Sequence, residues 1–402
     1  MVHRLLIVTV FASALVALPQ GSQAVEGALA AWGNNENGQT NAPAGDYYAA
    51  LAAGATHSLA LKADDTLAAW GSNDYGQLDV PTGTFTAIAA GTFHNVALRT
   101  NGSIAVWGDG FWGQLDGVPT GTFTAIAAGS LHSLAIKNDG TLAGWGSNDY
   151  EQVGPATEES GWEPVLPAGT FTAVAAGIAH SVGLRTNGSL FAWGDNSLGQ
   201  TTGGFEITAP PGNDYIAIAA GGNHSLALKT NGSIVGWGDN EFGQLNIPSG
   251  TDYIAIAAGT KHSLALKADG TIVAWGDNEF GQLAVPSGEH TAIASGFLHS
   301  LAIKAEEIAP PDTGDFTDDG TIDGTDFLLW QRSVGAEGEG LPADGNHDDV
   351  VNGGDLLVWQ QQFGTATPAS QPVPEPGTLA LAAVAALLGA TPLGRRLAQM
   401  TK

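Results

Sequence analysis

The chain has 402 residues, 57 of them Gly, and only 13 % are charged. It contains no Cys, which excludes disulfides, thiolate metal sites and a Cys nucleophile. Thirteen basic residues against 40 acidic ones leave a net charge of −27, which disfavours nucleic acid and anionic membrane surfaces as partners and suits cations.

Residues 1–24 place His3 and Arg4 before an apolar run from Leu5 to Leu18, followed by Ser22-Gln23-Ala24. A basic start, an apolar run and a small-x-small site predict a secretory signal peptide cut after Ala24.

From there the chain repeats itself with a period near 38 residues. Trp-Gly recurs at Trp32, Trp70, Trp107, Trp145, Trp193, Trp237 and Trp275, and a Gln stands seven residues after each, from Gln39 to Gln282. Gly precedes that Gln in six copies; Glu151 replaces it in the seventh. A second motif, Ala/Ser-Gly-x-x-His, sets His at 57, 94, 132, 180, 224, 262 and 299, with Lys or Arg five residues later. Runs such as FTAVAA and HSLALK read as short strands, and Asp-Gly or Asn-Gly pairs such as Asp269-Gly270 read as hairpin turns. Several short strands per unit predict a β-propeller rather than a helical solenoid. After Lys304 no Trp-Gly follows, and Ala28–Trp32 has no His unit before it. The N-terminal strand is therefore expected to close the last blade, giving seven blades and no exposed edge at the seam.

These strings resemble the regulator of chromosome condensation repeat family over about residues 25–308. The secreted bacterial type, which includes a propeller β-lactamase inhibitor, is the nearest in character. The nucleotide-exchange activity of the nuclear member is not carried over, since an exported chain does not meet that partner. Each His is expected to tie a turn to its neighbouring strand, each Trp to pack between blades, and each Lys or Arg to make a structural ion pair or hydrogen bond. Asn101, Asn187 and Asn231 begin glycosylation-like triplets, but they fall at hairpin turns, where turn chemistry accounts for them.

Function is expected where the copies differ. The connections 151–169, with Trp162, and 201–214, with Phe205, are long, and the His spacing stretches there to 48 and 44. After Trp-Gly stand Tyr75, Phe111, Trp112, Tyr150, Phe242 and Phe280, which either line one rim as a protein- or sugar-binding surface or pack between blades.

Past Pro310-Pro311 the pattern changes. Asp315, Thr317, Asp319, Thr321, Asp323 and Asp326 occupy positions 1, 3, 5, 7, 9 and 12 of a calcium loop, with Gly320 at position 6. A second copy runs through Asp344, Asn346, Asp348, Val350, Asn352 and Asp355, with Asp349 at position 6. Helices are expected at Phe327–Arg332 and Leu356–Gln361. The duplication resembles a type I dockerin, a small α-helical EF-hand-like module over residues 309–368. The resemblance implies two Ca2+ ions and docking onto a cohesin-like partner. Gly324 and Thr325, with Gly353 and Gly354, hold the positions that help to select that partner. Thr317 and Asp349 depart from the pattern and lower the expected affinity without removing the site.

Residues 369–402 carry Val373-Pro374-Glu375-Pro376, an uncharged stretch from Gly377 to Gly394, and Arg395-Arg396. This order resembles the PEP-CTERM sorting signal, which implies processing by an exosortase and membrane contact only through this segment. The sequence thus predicts a mainly β protein exported across the inner membrane, secreted or held at the cell surface. Its propeller rim is expected to bind an extracellular protein without catalysis. Polysaccharide binding, or a carbohydrate-active enzyme, is the alternative.

Overall fold

Short apolar strands joined by tight turns cannot bury both faces alone, so neighbouring repeats must stack. The computed structural model describes residues 28–44, 48–155, 164–201, 210–305, 315–317, 322, 324–336, 341, 343, 351, 356, 359 and 363. The predicted signal peptide and sorting segment lie outside the described residues. The chain divides into two units, Met1–Glu306 and Glu307–Lys402.

The first unit opens with β1 (Leu29–Gly33). Blade 1 follows as β2 (Tyr48–Ala53), β3 (His57–Lys62) and β4 (Leu67–Gly71), and blade 2 as β5 (Phe85–Ala90), β6 (His94–Arg99) and β7 (Ile104–Gly108). Blade 3 is β8 (Phe123–Ala128), β9 (His132–Lys137) and β10 (Leu142–Gly146). Blade 4 is β11 (Phe171–Ala176), β12 (His180–Arg185) and β13 (Leu190–Gly194). Blade 5 is β14 (Tyr215–Ala220), β15 (His224–Lys229) and β16 (Ile234–Gly238), and blade 6 is β17 (Tyr253–Ala258), β18 (His262–Lys267) and β19 (Ile272–Gly276). Blade 7 pairs β20 (His290–Ser295) and β21 (His299–Lys304) with β1, in the order β1-β21-β20. Leu29 faces Ile303 and Gly33 faces His299, so the N-terminal strand closes the ring as the repeat count predicts.

Each inner strand carries a bulge after its first residue, for example between Phe171 and Ala173. The inner strands are rich in buried Ala, such as Ala50, Ala52 and Ala53, because strands converging on an axis leave room only for small side chains. Ile and Leu fill the space between blades, as where Leu51, Leu59, Phe85 and Ile88 share one cluster. The hairpins close by turn chemistry: Asn101 Oδ1 accepts the Ser103 N–H and hydroxyl, and Asn187 and Asn231 repeat this with Ser189 and Ser233.

The repeated His, expected to tie a turn to its neighbouring strand, reaches a strand of the next blade. His57 Nε2 meets Asn95 Oδ1 at 2.7 Å. His94, His132, His180, His224 and His262 meet Ser133, Ser181, Ser225, Ser263 and Ser300, and His299 crosses the seam to Ser58, all at 2.8–2.9 Å. Asn95 Oδ1 can only accept, so His57 carries its proton on Nε2. Ser58, Ser181 and Ser263 donate to the main-chain oxygens of Gln39, Gln152 and Gln244, so they too accept from His. Nδ1 is then a buried lone pair in His57, His132, His224 and His299, and it is buried without a partner in all seven rings. The ring lies against the Gly three residues before it; a Cβ at Gly54 would strike both His57 and the Gly91 carbonyl.

Burial pushes these imidazoles down from 6.5, to about 4 in His57, His180 and His262 and to about 3 in His94, His132, His224 and His299.

The second unit contains α1 (Gly324–Ser333), with Leu356 and Trp359 also helical. It begins three residues before the expected Phe327, with Asp326 in its first turn, where a carboxylate suits the helix dipole. Phe316, Trp330, Ala343 and Val351 are buried together, and Trp359 packs on Phe327 and Phe363 with ring centroids 5.2 and 4.6 Å apart.

Unfolded His takes up a proton below about pH 6.5, the folded rings only near 3 to 4. Unfolding in that window therefore binds up to seven extra protons, and stability, complete above pH 6.5, falls as pH is lowered. Thermal midpoints are expected to stay flat above about pH 7 and drop steeply from about pH 6. A midpoint unchanged down to about pH 4.5 would contradict this.

Candidate functional site

Beyond each Trp-Gly the chain makes a tight loop around the buried Gln. The Gln side-chain oxygen accepts the main-chain N–H of the residue five after Trp: Asn37, Tyr75, Trp112, Tyr150, Leu198, Phe242 and Phe280, at 2.7–2.9 Å. In six copies the Gln amide donates to the side chain two residues after Trp, as in Gln200 to Asp195 at 2.8 Å and Gln244 to Asp239 at 3.0 Å, whereas the Gln77 amide is buried without a partner. The Gln main-chain oxygen accepts the indole N–H of the following blade's Trp, as in Trp70 to Gln39 and Trp107 to Gln77. One buried side chain thus fixes the loop, the strand end and the next blade.

The loop's fifth residue contributes only its N–H to this arrangement, so its side chain is free to project. Tyr75, Trp112, Tyr150, Phe242 and Phe280 at this position, and Phe111 one residue before it, are 37–81 % exposed, so none is enclosed between blades. Leu198, 48 % exposed, completes the series. A reading restricted to aromatic residues misses Leu198 and Asn37, although their spacing from Trp193 and Trp32 marks both.

These loops stand over the Gly-x-x-His turns, because outer-strand ends bond to them: Ser72 to Thr56, Asp109 to Phe93 and Asp277 to Lys261. Tyr75 lies 5.0 Å from the Phe93 ring, and Lys261 Nζ sits 3.8 Å from the Phe242 ring. Inside them main-chain bonds pass from blade to blade, from Ala55 to Thr92 round to Phe297 and Gly54. Acidic side chains cap the rim turns: Asp109, Asp239 and Asp277 accept from Phe111, Glu241 and Glu279 N–H. The site is an apolar rim set among carboxylates.

The repeated Lys and Arg lie at the other ends of the strands, and Arg99, Arg185, Lys229 and Lys267 are structurally engaged. Arg99 and Lys229 stack over Phe85 and Tyr215 at 5.1 and 5.2 Å. Lys229 and Lys267 also pair with Asp214 and Asp252 at 3.3 and 3.1 Å.

Of the residues expected in calcium loops, Asp315, Thr317 and Asp326 are described. Asp326 is buried, and its Oδ1 accepts the Thr317 N–H and hydroxyl at 2.9 and 3.0 Å, so loop positions 3 and 12 come together. Gly324 and Thr325 are exposed at the start of α1. Asp319, Thr321, Asp323, Asp344, Asn346, Asp348, Val350, Asn352 and Asp355 lie outside the described residues, as do Trp162 and Phe205.

Seven three-stranded blades with a shared loop register define a repeat-built β-propeller. Residues 48–77, 85–114, 123–152, 171–200, 215–244 and 253–282 match the regulator of chromosome condensation (RCC1) repeat, so the propeller is built of repeats of that family. The crystal structure of Kap60 bound to yeast RCC1 (Prp20) is similar at TM-score 0.59 and 20 % identity, covering 71 % of this chain and 90 % of that one. Prp20p of Saccharomyces cerevisiae, in a structure described with its binding properties to Gsp1p and histones, gives 0.58 and 20 %, with 71 and 93 % covered. Human WBSCR16 gives 0.58 and 16 %, with 70 and 99 % covered. These likenesses show the fold. No curated protein sequence matches the chain.

One loop is strained. Glu151 adopts φ 62° where the other six repeats hold Gly at 78–80°. That backbone costs a side-chain-bearing residue about 1–2 kcal/mol, part of which glycine's chain entropy offsets. Glu151→Gly is expected to stabilise the propeller by about 1 kcal/mol in urea unfolding. Loss of stability would show that the Glu151 side chain compensates its own strain.

Proposed function

We propose that the chain is a non-catalytic binding protein whose propeller captures an extracellular protein through the rim of Tyr75, Phe111, Trp112, Tyr150, Phe242 and Phe280. The observation that carries this reading is the register. Six of seven equivalent loop positions expose an apolar side chain on one face, and none of those side chains is needed to hold its loop. The surrounding carboxylates favour a partner with apolar anchors and basic flanks. The yeast relative's complex with Kap60 supports a protein partner for a propeller of this kind.

Exposed rings beside Asp side chains also suit a sugar face, which supports extracellular polysaccharide as the second reading. The terminal motifs support export across the inner membrane, with an exosortase acting on residues 369–402.

The second unit is proposed to bind calcium and dock as a dockerin. A buried carboxylate needs compensation, and Asp326 fits a cation ligand held by the Thr317 bonds at the two ends of the loop. Asp315, Thr317, Asp319, Thr321, Asp323 and Asp326 would hold one ion, and the residues from Asp344 to Asp355 the second. Bound calcium would neutralise these carboxylates and couple binding to folding of the module. A cohesin-like domain would then meet the surface that includes Gly324 and Thr325.

Extracellular proteins retained on the immobilised full chain are expected to bind Trp112→Ala and Phe242→Ala at least about tenfold more weakly, about 1.4 kcal/mol, with unchanged melting. Undiminished binding by both variants would remove the rim from the interface. Retardation in glycan-containing gels, lost in the same variants, would support the polysaccharide reading instead. Calorimetric titration of the full chain is expected to show two calcium ions, and Asp326→Ala one. No heat with the unaltered chain would refute the cation reading.

A further inference from the structure

Blade 4 is where the repeated hydrogen-bond pattern fails to close. Six Trp indoles each donate to the main-chain oxygen of the preceding Gln at 2.7–2.9 Å. By the same register Trp193 belongs on Gln152, yet its Nε1 is buried without a partner. Competition does not explain this. Gln152 accepts from Ser181, but Gln39 and Gln244 accept from a Ser and a Trp together. A buried donor left unpaired destabilises a fold unless something else satisfies it.

Three further departures coincide with it. Glu151, next to Gln152, holds the strained left-handed backbone. The connection that follows is lengthened, with Val165 N–H bonding to the Pro155 oxygen. Phe191 stands two residues before Trp193, where the other blades have Ala or Val, and its ring lies 6.0 Å from the Trp193 ring. Beside them lies a cleft of about 400 Å³ whose walls include Pro155, Val165, Pro167, Phe191 and Trp193. Val165 is half exposed at its edge.

We propose that this cleft binds an extended apolar peptide segment of a partner protein, with one main-chain carbonyl of that segment accepting the Trp193 indole N–H. The sister blades supply the chemistry: in all six, the group that satisfies this indole is a peptide carbonyl. An indole can only donate, so the ligand atom must be an acceptor. Glu151 at the cleft and the net charge of −27 select against a carboxylate or phosphate and for a neutral carbonyl. An extended segment has carbonyls free of internal hydrogen bonds, and the Pro, Val and Phe walls take its apolar side chains. This assignment deepens the protein-binding reading and rests on it; the cleft adjoins the rim loops of Tyr150 and Leu198 and does not include Trp112.

The test is a selection of linear peptides from a display library on the full chain, with the enriched peptide then synthesised and titrated. An enriched apolar peptide is expected to bind Val165→Asp and Trp193→Phe at least tenfold more weakly and Trp112→Ala equally well. On the 15N-labelled chain it is expected to shift one indole resonance, the one missing in Trp193→Phe. Trp193→Phe is expected to melt no lower than the unaltered chain, whereas Trp145→Phe, which loses the bond to Gln114, is expected to melt lower. The proposal is overturned if no peptide is enriched, or if the enriched peptide is indifferent to Val165→Asp and Trp193→Phe. A peptide lost only with Trp112→Ala would overturn it while supporting the rim.

Discussion

The propeller depends on one relay of buried polar groups. In its complete form an imidazole N–H donates to a Ser or Asn of the next blade, which donates to a Gln main-chain oxygen that also accepts an indole N–H, as from His57 through Asn95 to Gln77 and Trp107. No member can be removed alone without leaving a buried polar group unpaired. The relay fixes the imidazole tautomer where the acceptor is Asn95 or a Ser that donates onward, and burial keeps the ring neutral. It also confines the residue beside the ring to Gly. Since it passes from His299 to Ser58, the closure of the ring is held by the same kind of His-to-Ser bond as the other blade junctions.

The relay also separates scaffold from surface. Gln spends its carbonyl on the next blade and its side chain on the rim loop, so each loop is anchored from beneath. The residue at the loop's tip is held by its main chain alone, and Asn37, Leu198, Tyr150 and Trp112 can occupy equivalent places without disturbing the ring. A surface that varies on a network that does not is the physical requirement for a repeat fold to acquire a ligand of its own.

The blades and the seam were legible because the Trp, Gln and His registers are periodic, and a fixed period has few structural solutions. The partner of each His was not, since it lies about one repeat away in the chain and is chosen by how blades stack. The exposure of the rim was left open by the residues themselves: Phe and Tyr serve equally between blades and on a surface, and only the loop anchored by Gln decides. Leu198 was hidden because aromatic character drew attention where position mattered. The strain at Glu151 was visible as a broken Gly position. The orphaned Trp193 indole was not, because it depends on where the Gln152 carbonyl comes to lie.

A sevenfold repeat contains its own controls. In a fold built once, an unpaired indole or a left-handed Glu has nothing to be compared with. Here six copies show what the local sequence does when only folding is at stake, and all six satisfy the indole with a main-chain carbonyl. The seventh combines a strained turn, a lengthened connection, a bulkier outer-strand residue and an unpaired donor. Because blades contact mainly their neighbours, the remaining junctions can stabilise the ring while one is altered. Strain that accumulates at a single junction, next to an open apolar cleft, is local and tolerable to the fold. It also leaves a hydrogen-bond donor shaped for a peptide carbonyl that the chain itself does not supply.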